Sequence, residues 1–212
     1  LDDGGVTCWG FNREGQLAYG HKNNIGDNEK PSKAGLIELG GKASVLAAGR
    51  AHTCAVLEDS TLRCWGWNRE SQLGYGHTDN IGDNETPASA GLVDVGGPVA
   101  SVGLGANHTC ALLTDGAVKC WGDNKFGQLG YGNKDAVSQP SAVGAVELGS
   151  PAQALYVGSY HNCAILDGDA LRCWGYNKYG QLGLGHTKDI GDDELPTAAP
   201  TVAVFDEVED EK

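Results

Sequence analysis

Histidine, cysteine and acidic side chains recur in this chain at fixed intervals, and these residue types could bind a metal or catalyse a reaction. A histidine stands two residues before a cysteine at His52, His108 and His161. Residues two apart in a strand share a face, but each of these pairs belongs to a separate repeat. No CxxC-type set completes a tetrahedral metal site. Instead of a catalytic or metal-binding ring, the pattern favours structural histidines, each bonded to the backbone of its own repeat.

Three loops of related sequence, NIGDNE twice and DIGDDE once, offer a second possible chemistry. Clustered carboxylate and amide oxygens are ligands that Ca²⁺ prefers, although this spacing matches no EF-hand loop. An Asx-rich turn that caps its own backbone explains the same residues. Calcium therefore stays an open alternative, and we expect no other cofactor. Its candidate ligands are the acidic residues Asp27, Glu29, Asp83, Glu85, Asp192 and Glu194.

Composition excludes several functional classes. The net charge of −13 argues against a nucleic-acid partner, because phosphate binding requires a basic surface. No run of 18 apolar residues is present, so we expect no membrane insertion. No nucleophile-elbow, zincin, P-loop or dinucleotide fingerprint occurs, and we therefore expect a protein that is not an enzyme.

A repeat organises the whole chain. The triplet CWG begins at Cys8, Cys64, Cys120 and Cys173, at spacings of 56, 56 and 53 residues. Short runs of alternating or β-branched residues separated by glycine-rich turns predict four strands in each period. Such periods are typical of an all-β fold, a β-propeller of four-stranded blades. We predict a half-blade with the third and fourth strands, three complete blades and an acidic tail, at residues 1–41, 42–97, 98–150, 151–204 and 205–212.

The repeat unit, seen in AGRAHTCAVLEDSTLRCWG followed by WNRESQLGYG, resembles that of the regulator of chromosome condensation family in its bacterial secreted, cysteine-containing form. The resemblance covers residues 1 to about 204, and it implies a seven-bladed propeller. Family members share this fold while their activities differ, from nucleotide exchange to ultraviolet-B reception and β-lactamase inhibition. The resemblance therefore predicts the architecture and does not choose the function.

Six of the seven cysteines flank hairpin turns, with the members of each pair ten positions apart. Opposed residues on adjacent antiparallel strands come close enough for a disulfide after small adjustment. We predict three intrablade disulfides, and reduced thiols in a cytosolic protein are the alternative. The predicted pairs are Cys54–Cys64, Cys110–Cys120 and Cys163–Cys173. Cys8 is the seventh, and we predict that it is unpaired or bonded to another chain.

Positions that vary within a fixed repeat are the best candidates for a binding surface, because a rigid scaffold presents them. The tryptophan of CWG is constant, and we expect Trp9, Trp65, Trp121 and Trp174 to pack between blades. The following CWGxNxxGQL turns vary, and arginine and aromatic residues there have the composition of interaction hot spots. The predicted protein-binding residues are Phe11, Arg13, Trp67, Arg69, Asp123, Phe126, Tyr176 and Tyr179.

These patterns together predict a secreted propeller, extracellular or periplasmic, that binds a protein partner or identical copies. We expect a neighbouring copy or a partner chain to complete the half-blade by strand addition. A bond at Cys8 would then join the two chains. A secreted enzyme inhibitor is one alternative. A calcium-dependent glycan-binding or enzymatic propeller is the other.

Overall fold

The computed structural model describes residues 4–204, and the predicted acidic tail 205–212 lies outside them. The described part contains nine strands in three antiparallel sheets, each formed by three consecutive strands. The sheets are β1 Ala43–Ala48, β2 His52–Leu57 and β3 Leu62–Gly66; β4 Val99–Leu104, β5 His108–Leu113 and β6 Val118–Gly122; and β7 Ala152–Val157, β8 His161–Leu166 and β9 Leu171–Gly175. This confirms the all-β propeller fold, while the predicted blade limits stay predictions.

Four short helical turns interrupt the loops between blades, and each begins at a proline whose fixed φ suits the first helical position. They are the 3₁₀ turns Pro31–Lys33, Pro140–Ala142 and Pro196–Ala198 and the helix α1 Pro87–Ala90. Two hydrophobic clusters fill the space between the sheets, one around the first two blades and one around the last two. None of the helices in residues 4–204 is long and apolar enough to cross a membrane.

The predicted fourth strand of each complete blade is reduced to one backbone hydrogen bond to the third strand, donated by Val93, Val146 or Val202. Val93 pairs singly with Leu62, its backbone N–H donating to the Leu62 carbonyl at 2.9 Å. The segment before it is helix α1, and the guanidinium of Arg63 donates to the carbonyls of Pro87, at 2.8 Å, and Ala88, at 3.2 Å. A side chain thus satisfies carbonyls at the end of this short helix, which lack partners within it.

The three predicted disulfides are present, with Sγ–Sγ distances of 2.07, 2.08 and 2.05 Å. Cys54 lies directly opposite Cys64 in the register of β2 and β3, and the other two pairs repeat this register. Each bond closes the hairpin formed by the last two strands of its sheet. Cys8 is a free, partly buried thiol.

Neighbouring blades are joined by one repeated hydrogen-bond network. The carbonyl of Gln72 accepts from the indole N–H of Trp121 at 2.9 Å and from the hydroxyl of Thr109 at 2.8 Å, both in the next blade. The hydroxyl proton of Thr109 is thereby used, so His52 Nε2, 2.9 Å away, must donate to that oxygen. The prediction that each histidine bonds its own backbone is therefore wrong in detail: His52 links two blades.

The same network recurs at the next junction, where the carbonyl of Gln128 accepts from Trp174 at 3.1 Å and from Asn162 at 2.6 Å. His108 Nε2 lies 3.0 Å from the side-chain oxygen of Asn162. A Cβ added to Gly105 would lie 2.2 Å from Cε1 of His108, so glycine is required for this close approach. His52 and His108 therefore belong to successive junctions between blades.

Trp9 departs from the prediction for its repeat position. Trp65, Trp121 and Trp174 are completely buried between blades, whereas Trp9 is 64% exposed. The buried three donate to a glutamine carbonyl of the preceding blade, and residues 4–204 provide no such blade before Trp9. The first repeat therefore exposes an apolar flank, whereas the equivalent flanks of the later repeats are buried against the preceding blade.

Candidate protein-binding groove on the turn face

The turns that follow CWG are held rigid by a buried asparagine. In the third repeat, Asn124 donates to the carbonyls of Asn133, at 2.8 Å, and Asp135, at 3.1 Å, and accepts from the backbone of Leu129 at 2.9 Å. Asn12, Asn68 and Asn177 form equivalent bonds in the other repeats. Side chains on these turns are therefore presented from a fixed scaffold.

Two variable positions of the repeat meet at the edge of this scaffold. The backbone N–H of Asp123 donates to the carbonyl of Asn107 at 2.9 Å, and that of Tyr176 donates to Tyr160 at the same distance. The residue after CWG and the residue before the histidine are therefore neighbours in each blade. Their side chains can build one surface from two distant segments of sequence.

An aromatic groove forms where these positions meet between the last two blades. Phe126 and Tyr176 have ring centroids 4.6 Å apart, and Tyr160 lies 5.6 Å from Phe126. Tyr179 lies 6.1 Å from Tyr176 and is 81% exposed. The groove has a volume of about 550 Å³ and is lined by Asn107, Asp123, Lys125, Phe126, Ser159, Tyr160, His161, Tyr176, Tyr179 and Gln181.

A buried carboxylate lies beside these rings. Asp123 is only 3% exposed, and one of its oxygens accepts from the amide of Gln128 at 3.2 Å. Its other oxygen lies 3.6 Å from the ammonium of Lys125, whose side chain is two-thirds exposed. His161 also lines the groove, and burial lowers the pKa of its imidazole. The site thus combines aromatic faces with one desolvated negative charge.

The structure brings together four of the eight predicted binding residues: Asp123, Phe126, Tyr176 and Tyr179. Within residues 4–204 the ring contacts of this cluster do not extend to Phe11 or Trp67. Phe11, Arg13 and Arg69 are exposed and Trp67 is half-buried on their own turns. Their role in binding stays a prediction.

Tyr160 is the aromatic residue of the groove that the sequence pattern did not predict as a binding residue. Its repeat position holds Ala51 and Asn107 in the preceding blades, so it varies as strongly as the residue after CWG. That variation could have identified Tyr160 as a candidate binding residue. The sequence does not show the hydrogen bond between Tyr176 and Tyr160, which brings the residue after CWG next to the residue before the histidine.

The acidic loops have structural partners. Glu29, Glu85 and Glu194 each accept from the backbone N–H three residues earlier, at 2.9, 3.2 and 3.4 Å, which caps the loop. Asp83 pairs with Lys22 of the preceding repeat at 2.8 Å, and Asp192 pairs with Lys134 at 3.0 Å. These bonds support the alternative of self-capping turns, and Asp27 is exposed.

One loop nevertheless gathers several acidic groups. Ligand atoms of Asp192, Asp193 and Glu194 lie within 4.8 Å of one another. Burial, together with a hydrogen bond between its carboxyl group and that of Asp193, raises the pKa of Glu194 to about 7. Calcium binding by the acidic loops stays a prediction.

Comparison with known proteins decides the family. A sequence model described as the regulator of chromosome condensation (RCC1) repeat matches residues 3–56, 61–112 and 115–165, most of the chain. A second model of this repeat matches residues 45–72, 99–128 and 153–181. The chain belongs to the RCC1 repeat family. The two RCC1 repeats matched at 99–128 and 153–181 contain all ten residues that line the groove.

Curated relatives of this RCC1-repeat chain are much longer proteins. It is 34% identical to the ultraviolet-B receptor UVR8 of Arabidopsis thaliana over 188 residues, which cover 88% of the chain and 40% of the receptor. It is 32% identical to the human E3 ubiquitin-protein ligase HERC2 over 192 residues, 88% of the chain and 4% of the ligase. The RCC1-repeat chain therefore spans less than half the length of these relatives.

Solved RCC1-type structures support the fold. Human WBSCR16 superposes with a TM-score of 0.75 at 23% identity, covering 96% of the RCC1-repeat chain and 49% of that protein. Prp20p of Saccharomyces cerevisiae superposes with a TM-score of 0.69 at 18% identity, covering 95% of the RCC1-repeat chain and 52% of Prp20p. At this identity the likeness shows the propeller fold alone.

Proposed function

We propose that this chain is a non-enzymatic binding module that recognises a segment of a protein partner in the aromatic groove. The observation that carries this proposal is the convergence of Phe126, Tyr160, Tyr176 and Tyr179 at variable positions of an otherwise fixed repeat. Exposed aromatic rings in a preformed groove are typical of interaction hot spots. The groove lies on rigid turns, so a partner would bind without reorganising the blade.

Related propellers bind proteins, which supports the same class of function here. A yeast RCC1 (Prp20) structure was determined with Kap60 bound, and Prp20p was described together with its binding to Gsp1p and histones. We further propose that the chain acts outside the cytosol, because three disulfides persist in oxidising compartments.

A peptide library displayed on phage tests the groove directly. We expect selected peptides to bind the unaltered chain and to lose at least tenfold in affinity for the triple variant Phe126→Ala, Tyr176→Ala, Tyr179→Ala, because hot-spot truncations cost about 2 kcal/mol or more. Tyr156→Ala is the control, since Tyr156 is an exposed aromatic residue that does not line the groove. Peptides that bind the triple variant as well as the unaltered chain would rule out the groove.

A second surface supports assembly with another copy or another chain. Trp9 and Leu46 are exposed at 64% and 48%, and both line a hollow of about 410 Å³ on the flank of the first repeat. At later junctions this tryptophan position is covered by a neighbouring blade. We propose that strands equivalent to the first half of a blade pack here, supplied by a neighbouring copy or a partner.

Light scattering and intact mass under non-reducing conditions test this flank. Identical copies would give a concentration-dependent dimer or larger assembly that Trp9→Glu disrupts, because the substitution buries a charge in the interface. Burial raises the pKa of Cys8 to about 11, so its thiolate is scarce at neutral pH and random oxidation is slow. A disulfide at Cys8 would then mark a docked strand, whereas a monomer unaffected by Trp9→Glu at all concentrations would contradict self-assembly.

A further inference from the structure

The rings of the groove are tilted against one another. The planes of Phe126 and Tyr176 meet at 53°, those of Phe126 and Tyr160 at 72°, and those of Tyr176 and Tyr179 at 79°. Ring faces and edges therefore line the groove from several directions. The face of an aromatic ring carries negative electrostatic potential, which attracts a cation placed over it.

Asp123 supplies a full negative charge to the same groove. A carboxylate that is 97% removed from solvent requires hydrogen bonds or an opposite charge, because burial of an unpaired charge is costly. Gln128 satisfies one oxygen at 3.2 Å. Among the described residues the other oxygen has Lys125 at 3.6 Å, longer than a hydrogen bond, on a mostly exposed side chain.

We propose that the groove binds a lysine or arginine side chain of the partner protein, with its aliphatic stem against the aromatic rings and its N–H groups donating to Asp123. This inference rests on the proposed function, because it names the residue type that the groove recognises. The net charge of −13 favours the approach of a basic segment. Lys125 is the local competitor, since its ammonium occupies the position of the incoming cation.

Other charged groups in the groove leave this assignment intact. His161 lines it, and its lowered pKa keeps the imidazole neutral at pH 7, so it adds no repulsive charge. The remaining lining side chains include the amides of Asn107 and Gln181 and the hydroxyl of Ser159, which can accept hydrogen bonds.

NMR titration of the groove ring signals tests the proposal with small probes. We expect saturable shifts with N-acetyl-lysine amide and N-acetyl-arginine amide, and none with their neutral counterparts N-acetyl-norleucine amide and N-acetyl-citrulline amide. Asp123→Asn should weaken binding of the cationic probes about tenfold, because it removes a charge-assisted hydrogen bond and keeps the acceptor for Gln128. Lys125→Gln should strengthen binding about twofold, because a competing surface charge is lost.

Asp79→Asn is the matched control, since Asp79 is an exposed carboxylate in another repeat and its loss should leave binding unchanged. Equal binding of the norleucine probe would show an apolar pocket and overturn the proposal. Saturable binding of an N-acetylglucosamine oligomer without the cationic probes would assign the groove to glycans and overturn it too. Groove-dependent phage peptides that lack a basic residue would overturn the cation inference while leaving protein binding in place.

Discussion

Replacement of Trp121 by alanine is expected to lower the free energy of unfolding by about 3–5 kcal/mol, the range for large aromatic truncations in a core. Trp121 is completely buried, and its indole N–H donates to the carbonyl of Gln72 in the preceding blade. A Cβ on Gly74 would approach the indole nitrogen to 2.7 Å, which shows how closely the two blades pack. The substitution therefore leaves a cavity at the junction and removes one bond of the network.

Trp9→Ala is the matched control, because Trp9 holds the same repeat position and is 64% exposed. Its expected effect is about 0.5 kcal/mol or less in the monomer, as for surface substitutions elsewhere. Urea unfolding followed by circular dichroism measures both variants without relying on tryptophan fluorescence. Equal losses for the two variants would contradict the assignment of this tryptophan as the element that joins blades.

Acidification is expected to destabilise the chain steeply through its buried histidines. Burial lowers the pKa of His52 to about 3, with repulsion from His108 adding to the effect, and burial lowers the pKa of His108 to about 4. An unfolded histidine takes up a proton near pH 6.5, whereas these two stay neutral in the fold until pH 3 to 4. The unfolded state therefore binds more protons between these limits.

The contribution of these two histidines to the free energy of unfolding is thus fully present above about pH 6.5. It falls as the pH decreases towards their pKa values in the folded state, where the loss levels off. Each histidine contributes a slope of about 1.4 kcal/mol per pH unit within that window. His108→Gln should reduce the slope by this amount, since a glutamine amide can still donate to Asn162 and takes up no proton. An unchanged slope, measured by urea unfolding between pH 6.5 and 5, would show that His108 is not held neutral by the fold.

Local features of the fold were predictable from the sequence. Cysteines ten apart around a turn sit opposite one another because an antiparallel hairpin fixes their register, as at Cys54 and Cys64. The period near 55 residues predicted blades because each repeat must bury its apolar faces against the next. These inferences needed only spacing and side-chain type.

Contacts between blades were harder to predict from the sequence. His52 bonds Thr109, 57 positions away, and repetition alone does not show whether such a histidine bonds its own blade or the next. The fourth strand was overestimated: Val93 keeps a single pairing with Leu62, and the Gly91 carbonyl accepts from the guanidinium of Arg63 instead of from a strand. Asp123 was expected on the surface, yet the amide of Gln128 donates to its carboxylate and holds it in the wall of the groove. Only the packing of the folded chain shows this contact.

The central claim is that the aromatic groove between the last two blades is the surface that binds a partner. The most direct test is a crystal structure of the chain with a phage-selected peptide. We predict peptide density against Phe126, Tyr160 and Tyr176, with a basic side chain at Asp123. A peptide bound on the acidic loops or on the Trp9 flank, with the groove empty, would contradict the account.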